Sequence, residues 1–468
     1  MDRLVTSDLT GRAGTYEDLP NRSPWIAQLA PDGPPCPLDG DTATDVAIVG
    51  AGIAGVATAF FVLRETPYRV LLLERDRVVR GATGRNAGQL TTYFERPLCD
   101  IADEFGAALA AQAQRGFDDA YDLLDLLVED SGATVRVERF TGHLGMFNLH
   151  HVLVHLRSNL VRRQGGLRLE SCLVSQDAEF LPDIPPELVD LCTVVPQERV
   201  RELLETRDDR YRAVLSDRKG CINSGALVQQ VLASLQARFP DRLRYVDRTH
   251  VERVEVGADA VRLTALGHTV TASAVVLCTN GFVDHVVVGA GGRPVGLAAD
   301  QRVVGRVAYM TAFAEERPRT PAAMSYIRNT TIGGDTPYVY VTRRTYDRAG
   351  DTVTLTCMGG PEYPVDGADY DLGLPFPGDL LATMDEQVRP FAQPDRAAGQ
   401  AYDFHWHGLM GYNGGGIRVV GEHPRHPSLL YNLACNGVGF LPSIHGGQRV
   451  ARLLAGDRLG PSIFDPRE

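Results

Sequence analysis

The chain has 468 residues, of which 44% are hydrophobic and 23% are charged, so it holds ample apolar material for a folded core. This length exceeds what one core usually supports, and we expect two domains. The net charge of −12 argues against a nucleic-acid partner, because such proteins present a basic surface. No apolar run is long enough for a membrane span and no signal sequence is visible, which predicts a cytoplasmic protein.

The eight cysteines are scattered and form neither a C-x-x-C pair nor a zinc-like quartet. We therefore expect reduced thiols and no metal site. Residues 1–41 are rich in proline, aspartate and glycine, which predicts an extended arm without a core of its own. Trp25 is the side chain expected to attach this arm to the body of the protein.

The predicted elements begin with a short, wholly apolar strand at 46–49, of the kind found inside parallel sheets. A glycine-rich turn follows, then a helix over 53–64 and a second buried strand at 70–73. Strand, turn, helix and strand in this order form a βαβ unit. Further helices are predicted at 107–113, 120–128, 225–237 and 446–454. Further strands or alternating segments are predicted at 135–147, 244–256, 261–266, 274–277, 303–313, 338–343 and 352–358.

The turn at residues 50–55 reads Gly-Ala-Gly-Ile-Ala-Gly and fits the pattern G-x-G-x-x-G. In this pattern the first glycine permits the tight turn, the second lets the backbone approach a diphosphate, and the third lets helix and strand pack closely. The helix N-terminus then directs N–H groups toward the phosphates. Glu74 ends the second strand, where its carboxylate would accept hydrogen bonds from a ribose. The unit predicts a dinucleotide site but does not separate NAD from FAD.

The segment at 80–88 reads Arg-Gly-Ala-Thr-Gly-Arg-Asn-Ala-Gly and follows soon after Glu74 and Arg75. It resembles the second flavin-contacting stretch of the D-amino-acid-oxidase-like superfamily, which includes glycine oxidase and sarcosine oxidase. The lead-in within residues 23–46 is similar to the γ-glutamylputrescine oxidase-like branch. This resemblance implies FAD as the cofactor.

Three later blocks carry the same resemblance. Residues 249–251 look like the strand whose backbone meets the adenine, and 275–282 like the strand and turn that return beneath the nucleotide domain. Residues 433–440, followed by a Gly-Gly pair and a helix, resemble the final flavin-binding turn. Backbone N–H groups there would hydrogen-bond the pyrimidine edge of the flavin and stabilise its reduced, anionic form.

The resemblance implies an α/β fold with a Rossmann-type FAD-binding domain and a second, β-sheet-rich α+β substrate domain. We expect a discontinuous FAD-binding domain at 42–100, 215–285 and 400–460, and a substrate domain at 101–214 and 286–399. The residues expected to contact FAD are Gly50, Ala51, Gly52, Ile53, Ala54, Gly55, Glu74, Arg75, Arg80, Gly81, Ala82, Thr83, Gly84, Arg85, Asn86, Ala87, Val251, Asn280, Gly281, Gly408, Asn436, Gly437, Val438, Gly439 and Phe440.

The chain also departs from the family pattern. The block at 405–418 resembles the W-x-G-x-x-x-x-T-x-D-x-x-P stretch, but Gly415 and Arg418 stand where the aspartate and proline are expected. Some relatives attach FAD through a histidine or a cysteine, and at those positions this chain has Arg85 and Gly408. The resemblance therefore implies non-covalent FAD.

In this superfamily the usual reaction is hydride transfer to flavin N5 from the carbon that bears an amine, and the same is implied here. Tyr338 and Tyr340 alternate on a predicted strand and would share one face. Arg343, or the arginine after it, would clamp a substrate carboxylate. His405 and His407 would face together, where either would accept a proton or orient an amine. Core or surface roles are also compatible with each of these residues.

The expected partners are a small amine or amino acid and an electron acceptor, which is oxygen or another compound. Oxygen-reactive relatives often place a lysine over the flavin, but the only lysine here, Lys219, lies in a polar stretch and is expected at the surface. Two alternatives to amine oxidation stay open. One is an NAD(P)H-dependent flavin monooxygenase, and the other is a non-catalytic flavin-binding protein.

Overall fold

A computed structural model describes residues 5–7, 13–15, 21–328, 338–348, 350–374, 380, 384 and 402–468. Much of the predicted arm before residue 21, and the predicted domain junction at 399–400, lie outside the described residues. The strands are β1 (Val5–Ser7), β2 (Ala13–Thr15), β3 (Thr42–Val49), β4 (Val70–Leu73), β5 (Gln89–Leu90), β6 (Val137–Met146), β7 (Ser171–Ser175), β8 (Cys192–Val195), β9 (Ala213–Ile222), β10 (Leu243–Val246), β11 (Val251–Val256), β12 (Val261–Ala265), β13 (His268–Leu277), β14 (Val286–Val288), β15 (Val304–Ala314), β16 (Ala322–Ile327), β17 (Tyr338–Arg348), β18 (Asp351–Val365), β19 (Phe404–Tyr412), β20 (Val419–His423) and β21 (His426–Leu433). The helices are α1 (Pro24–Ala27), α2 (Ile53–Glu65), α3 (Leu98–Phe105), α4 (Ala107–Ser131), α5 (Leu149–Gln164), α6 (Gln197–Leu204), α7 (Ser224–Arg238) and α8 (Phe440–Leu454).

The first sheet has nine strands, and its centre is the parallel series β10, β4, β3, β13 and β21. Val46 pairs with Val70 and Ala47 with Val275, and the strands β3 and β4 are almost wholly buried where they meet. Burial on both faces explains why these strands are continuous apolar runs. The predicted βαβ unit and the predicted mixed α/β fold are confirmed.

Helices α2, α4, α7 and α8 cover one face of this sheet and share its largest apolar cluster. The sequence predicts two helices at 107–113 and 120–128, but the structure has the single helix α4. The polar residues between them, together with Gly116, interrupt the apolar pattern. Gly116 is needed for packing, because a Cβ there would lie 2.5 Å from Nε2 of His445 on α8.

The second sheet has ten strands in the order β19, β15, β18, β17, β16, β6, β9, β7 and β8, with β5 paired to β9. Strand β9 spans the predicted boundary at 215 and pairs with β6 and β7 of this sheet. Helix α4, expected in the substrate domain, packs instead with the helices on the first sheet. The division into domains stays a prediction, but β9 and α4 do not follow its boundaries.

The last helix begins at Phe440, six positions before the predicted start at Gly446. The Gly-Gly pair is unfavourable for a helix interior, but here it permits close packing. A Cβ on Gly446 would lie 2.4 Å from Oδ1 of Asn432, and one on Gly447 would lie 2.8 Å from the backbone nitrogen of Thr58 on α2. The two glycines therefore bring α8 against α2 and β21.

Trp25 attaches the arm to the body, as the sequence predicts. Its side chain is fully buried and its Nε1 donates a hydrogen bond of 2.6 Å to the backbone oxygen of Asn86. The ring meets Trp406 edge to face at 6.4 Å, and the Arg344 guanidinium lies 4.4 Å from its centroid. The arm is thereby fixed to the segment that resembles a flavin contact.

Within the described ranges, no helix combines the length and the apolar composition that a membrane crossing requires. All eight cysteines are described, and each is a free thiol. Five of them are buried and two are half-buried, which is typical of small apolar side chains in a core, while Cys36 is exposed.

Replacing Gly447 with alanine is expected to destabilise the fold by about 1–3 kcal/mol, because the added methyl group forces α2 and α8 apart. Without that contact the same change in a helix would stabilise by about 0.5–1 kcal/mol. Urea unfolding followed by circular dichroism measures the difference. Gly460→Ala is the control, since a Cβ there meets nothing within 4 Å. Equal stability of the two variants would contradict the close packing.

Candidate active site

A large cavity lies between the carboxyl ends of β3, β4 and β13 and one face of the second sheet. Val49, Leu73 and Cys278 form its floor at the ends of the parallel strands. Met310 and Met410 belong to the opposite wall, on β15 and β19. A ligand site outside the carboxyl ends of parallel strands is the usual arrangement for open α/β sheets.

The glycine-rich turn after β3 is held by contacts that only glycine permits. Gly50 has φ of +104°, donates a hydrogen bond of 2.7 Å to the oxygen of Leu73, and would place a Cβ 2.7 Å from the oxygen of Cys278. A Cβ on Gly55 would lie 1.8 Å from the oxygen of Gly50. The first and third glycines of the pattern therefore do what the sequence predicts, namely turn the chain and allow close packing.

Glu74 braces this turn from the end of β4. Its Oε2 accepts a hydrogen bond of 2.7 Å from the Ala51 nitrogen, and its Oε1 accepts one of 3.0 Å from the Asp76 nitrogen. Burial raises the pKa of the carboxyl group, and the two backbone donors oppose that shift. Glu74 also lines the cavity, so its predicted bond to a ribose is compatible with the structure and stays a prediction.

The segment at 80–88 is fixed against the start of α2. The Thr83 hydroxyl oxygen accepts a hydrogen bond of 2.9 Å from the Ile53 nitrogen, so this helix N–H is already paired. Ser224 donates a bond of 2.7 Å to the backbone oxygen of Thr83, and Asn86 donates one of 3.0 Å to the same oxygen. The segment thereby runs along the cavity in one defined conformation.

The turn before α8 is tied to the turn after β13 through Asn280. The side-chain oxygen of Asn280 accepts hydrogen bonds of 3.2 Å from the nitrogens of Gly411 and Cys435. Gly437 has φ of +82°, which leads the chain into α8. Gly437, Val438, Gly439 and Phe440, which lead into α8, line the cavity, so their predicted role as a flavin-binding turn is compatible with the structure and stays a prediction.

Most of the predicted FAD contacts line this one cavity, and a few lie just behind it. Those in the lining are Gly50, Gly52, Ile53, Ala54, Glu74, Arg75, Arg80, Gly81, Ala82, Thr83, Arg85, Asn86, Ala87, Val251, Asn280, Gly437, Val438, Gly439 and Phe440. Those outside the lining are Ala51, Gly55, Gly84, Gly281, Gly408 and Asn436. Some of the six make backbone contacts that hold the turns; for example, Asn436 donates its N–H to the oxygen of Gly411 at 2.9 Å.

Two buried arginines in the lining suit an anionic cofactor. Nε and Nη1 of Arg85, and the same atoms of Arg418, have no hydrogen-bond partner among the described residues. Burial lowers the pKa of both side chains, that of Arg418 to about 10. Unpaired buried donors are costly, and the phosphate and carbonyl oxygens of FAD are suitable acceptors. The residues present therefore fit this cofactor.

Arg343 does not face the cavity, which corrects its predicted role as a carboxylate clamp. Its guanidinium donates hydrogen bonds of 2.8 and 2.6 Å to the Glu205 carboxylate, and its Nε donates one of 2.7 Å to the Thr320 oxygen. Alternation along β17 explains the difference. Tyr338 and Tyr340 line the cavity, so the odd-numbered residues of that strand face the other side.

His405 and His407 are likewise corrected, because they lie on the far face of β19. Met410 lines the cavity, so residues of odd number on this strand point away from it. His405 packs against the Tyr402 ring at 5.4 Å, and Nδ1 of His407 lies 3.2 Å from the Tyr370 hydroxyl. Burial lowers the pKa of both imidazoles to about 4, which keeps them neutral.

Many of the cavity residues were not predicted, among them Tyr93, Glu95 and Glu362. Glu95 accepts a hydrogen bond of 2.6 Å from the Tyr338 hydroxyl. Burial raises the pKa of Glu95 to about 7, the bond from Tyr338 opposes this, and the charge of Glu362 adds to it. The position of Glu95 shortly after the flavin-like segment was a usable signal, but nothing in the sequence marks Glu362.

Lys219 is buried rather than at the surface, which corrects a further expectation. It lies on β9, its side chain is 7% exposed, and its Nζ is 5.4 Å from the centroid of the Tyr93 ring. Burial lowers its pKa, and the charges of Asp217, Glu95 and Glu170 oppose that shift. Lys219 therefore stands behind the cavity wall, separated from the lining by Tyr93.

The sequence model of the DAO family, described as FAD dependent oxidoreductase, matches residues 45–453. The chain belongs to this family. Gamma-glutamylputrescine oxidoreductase of Escherichia coli (strain K12) is 39% identical over 62 residues, which is 13% of this chain and 14% of that protein. The aligned part is thus a small fraction of that relative's length.

Solved structures resemble nearly the whole chain. Glycine oxidase from Geobacillus kaustophilus has a TM-score of 0.64 at 17% identity, covering 90% of this chain and 98% of its own. L-proline dehydrogenase from P. horikoshii has a TM-score of 0.66 at 14% identity, covering 92% and 97%. These likenesses show a shared fold. With the family match, they identify the protein as an FAD-dependent oxidoreductase, so the predicted cofactor is confirmed.

Acid precipitation of the purified holoenzyme is expected to leave its FAD in the supernatant. The two positions at which relatives attach FAD are Arg85 and Gly408, and they touch, since a Cβ on Gly408 would lie 2.8 Å from the Arg85 Cβ. Neither offers an imidazole or a thiol. The absorption spectra of supernatant and redissolved pellet measure the outcome. A yellow pellet would show a covalent link and contradict the prediction.

Replacing Arg418 with glutamine is expected to weaken FAD binding roughly tenfold to hundredfold, because a hydrogen bond to a charged group contributes about 1.5–3 kcal/mol. Quenching of FAD fluorescence on titration with apoprotein measures the affinity. Arg449→Gln is the control, since Arg449 bonds to Asp465 outside the cavity. Circular dichroism checks that both variants fold. Unchanged affinity of a folded Arg418→Gln variant would contradict a role for this side chain toward FAD.

Proposed function

We propose that this FAD-dependent oxidoreductase oxidises the carbon–nitrogen bond of an amine or amino acid to an imine, which water then hydrolyses. Bound FAD supplies the two-electron acceptor for the hydride of the reacting carbon. The observation that carries the proposal is the buried Tyr338–Glu95 contact in the wall opposite the nucleotide turns. A buried carboxyl group with a pKa near neutrality is suited to hold an amine and take its proton.

Several of the similar proteins are named for substrates that contain nitrogen, whereas L-alpha-glycerophosphate oxidase from Mycoplasma pneumoniae, with a TM-score of 0.62 at 13% identity, covering 88% of this chain and 94% of its own, is not. Glycine oxidase, L-proline dehydrogenase and gamma-glutamylputrescine oxidoreductase are all named for substrates that contain an amino or imino nitrogen. The chain itself supplies the conditions that such a reaction needs. Tyrosine and methionine side chains line one wall of the cavity, where they would position the substrate against the cofactor and limit its contact with water.

We further propose that oxygen or another electron acceptor is the second substrate, and that the protein acts in the cytoplasm. The free thiols support an environment that keeps cysteines reduced. Peroxide release in air, compared with the reduction of a dye without oxygen, separates the two kinds of acceptor.

Anaerobic mixing of the holoenzyme with a panel of amines and amino acids is expected to bleach the flavin absorption without NAD(P)H, because the substrate itself delivers the hydride. A stopped-flow or diode-array record measures the bleaching. Bleaching by NAD(P)H alone would support a monooxygenase instead. A flavin that neither amines nor NAD(P)H reduce would support a non-catalytic flavin-binding protein.

A further inference from the structure

Two carboxylates line the cavity from separate elements. Glu95 follows β5, and Glu362 lies on β18. Glu95 accepts the hydrogen bond from Tyr338, while Glu362 accepts one of 3.1 Å from the Tyr412 hydroxyl. They are near enough for the charge of Glu362 to raise the pKa of Glu95. The cavity therefore holds a carboxylate pair on one side.

Glu95 lies beside the turn that precedes α8. A Cβ on Gly437 would lie 2.9 Å from Oε1 of Glu95 and 2.8 Å from the hydroxyl oxygen of Tyr412. Glu95 thus packs on the backbone of a turn whose next residues line the cavity. The Glu95 carboxylate therefore lies near the proposed flavin contact and not at a distant entrance of the cavity.

The positive side chains of the lining are confined to one part of it, which also holds Glu74, Asp76 and Asp284. Its described arginines, which are Arg75, Arg80, Arg85 and Arg418, all belong to segments outside the second sheet. The described residues that the second sheet contributes are Gln89, Ala308, Met310, Ser325, Tyr338, Tyr340, Glu362 and Met410, with neither lysine nor arginine among them. Arg343, the predicted carboxylate clamp, is bound to Glu205 on the other face.

We propose that Glu95 and Glu362 form an ammonium subsite, so that the preferred substrate is an alkylamine with no carboxylate on the oxidised carbon. The tyrosine faces of the same wall add to the attraction for a cation. An α-amino acid carries its carboxylate next to its ammonium group, so the pair would repel it. This inference rests on the proposed function and specifies its substrate class.

The same arrangement accounts for the proton that must leave before the carbon–nitrogen bond is oxidised. One proton passes from the ammonium nitrogen to the Glu95 carboxylate, and the neutral amine keeps the lone pair that the imine bond requires. Tyr93, Tyr338 and Tyr340 surround Glu95, and burial raises the pKa of each, so they stay protonated. The nearby cation Lys219 lowers the pKa of Glu95 from behind the wall.

The first experiment compares matched pairs of substrates by anaerobic bleaching of the holoenzyme. Each pair differs only by the carboxylate, namely butylamine against L-norvaline and pentylamine against L-norleucine. The amines are expected to bleach the flavin at least about tenfold more efficiently, as the ratio of bleaching rate to Kd. More efficient bleaching by the amino acids would overturn the inference and leave the proposed function intact. No bleaching by any compound would overturn the proposed function.

The second experiment measures binding without turnover, using tetramethylammonium as a cation that cannot form an imine. Its titration is expected to perturb the flavin absorption, with a Kd about tenfold weaker in Glu95→Gln and in Glu362→Gln. Sodium acetate is expected to bind more weakly than the cation. Glu422→Gln, on an exposed position of β20, is the control and should match the native protein. Native-like cation binding by both folded cavity variants, or tighter binding of acetate, would overturn the inference.

Discussion

The structure depends on one junction, where three parallel strands end beside a single glycine turn. Glu74 accepts the Ala51 N–H from the end of β4, while Gly50 approaches the Cys278 oxygen at the end of β13. These contacts fix the direction of α2 and the mouth of the cavity together. Side chains larger than glycine would separate the strands from the helix. The same contacts therefore form the nucleotide site and hold the core of the first sheet together.

The sequence predicts this junction well because each of its links is local. Apolar runs, a glycine pattern and one acidic residue lie within a single βαβ unit, so no knowledge of distant contacts is needed. Prediction fails where glycine serves packing between helices. Gly116 against His445, and Gly447 against Thr58, are contacts between segments far apart in the chain. From the sequence, the helix containing Gly116 is therefore divided in two and the last helix begins only at Gly446.

The cavity wall was predicted only in part, since alternation tells which residues share a face but not which face meets the ligand. Alternation of side chains along a strand correctly places Tyr338 and Arg343 on opposite faces, and His405 and His407 on the same face. Choosing between the faces requires the order of ten strands, which no local pattern contains. Lys219 shows the same limit, because its polar neighbours suggest a turn whereas pairing with β6 buries it.

The distribution of charge links the two halves of the cavity. Burying two carboxylates near each other is unfavourable unless a proton or a cation offsets the repulsion. Burial, with the charge of Glu362 as a smaller cause, raises the pKa of Glu95, so a proton can offset the repulsion, and an ammonium group would take the place of that proton on binding. The unpaired N–H groups of Arg85 and Arg418 require acceptors, and an anionic dinucleotide would supply them. The Glu95–Glu362 pair would therefore be stabilised by a cation, and the two arginines by an anion.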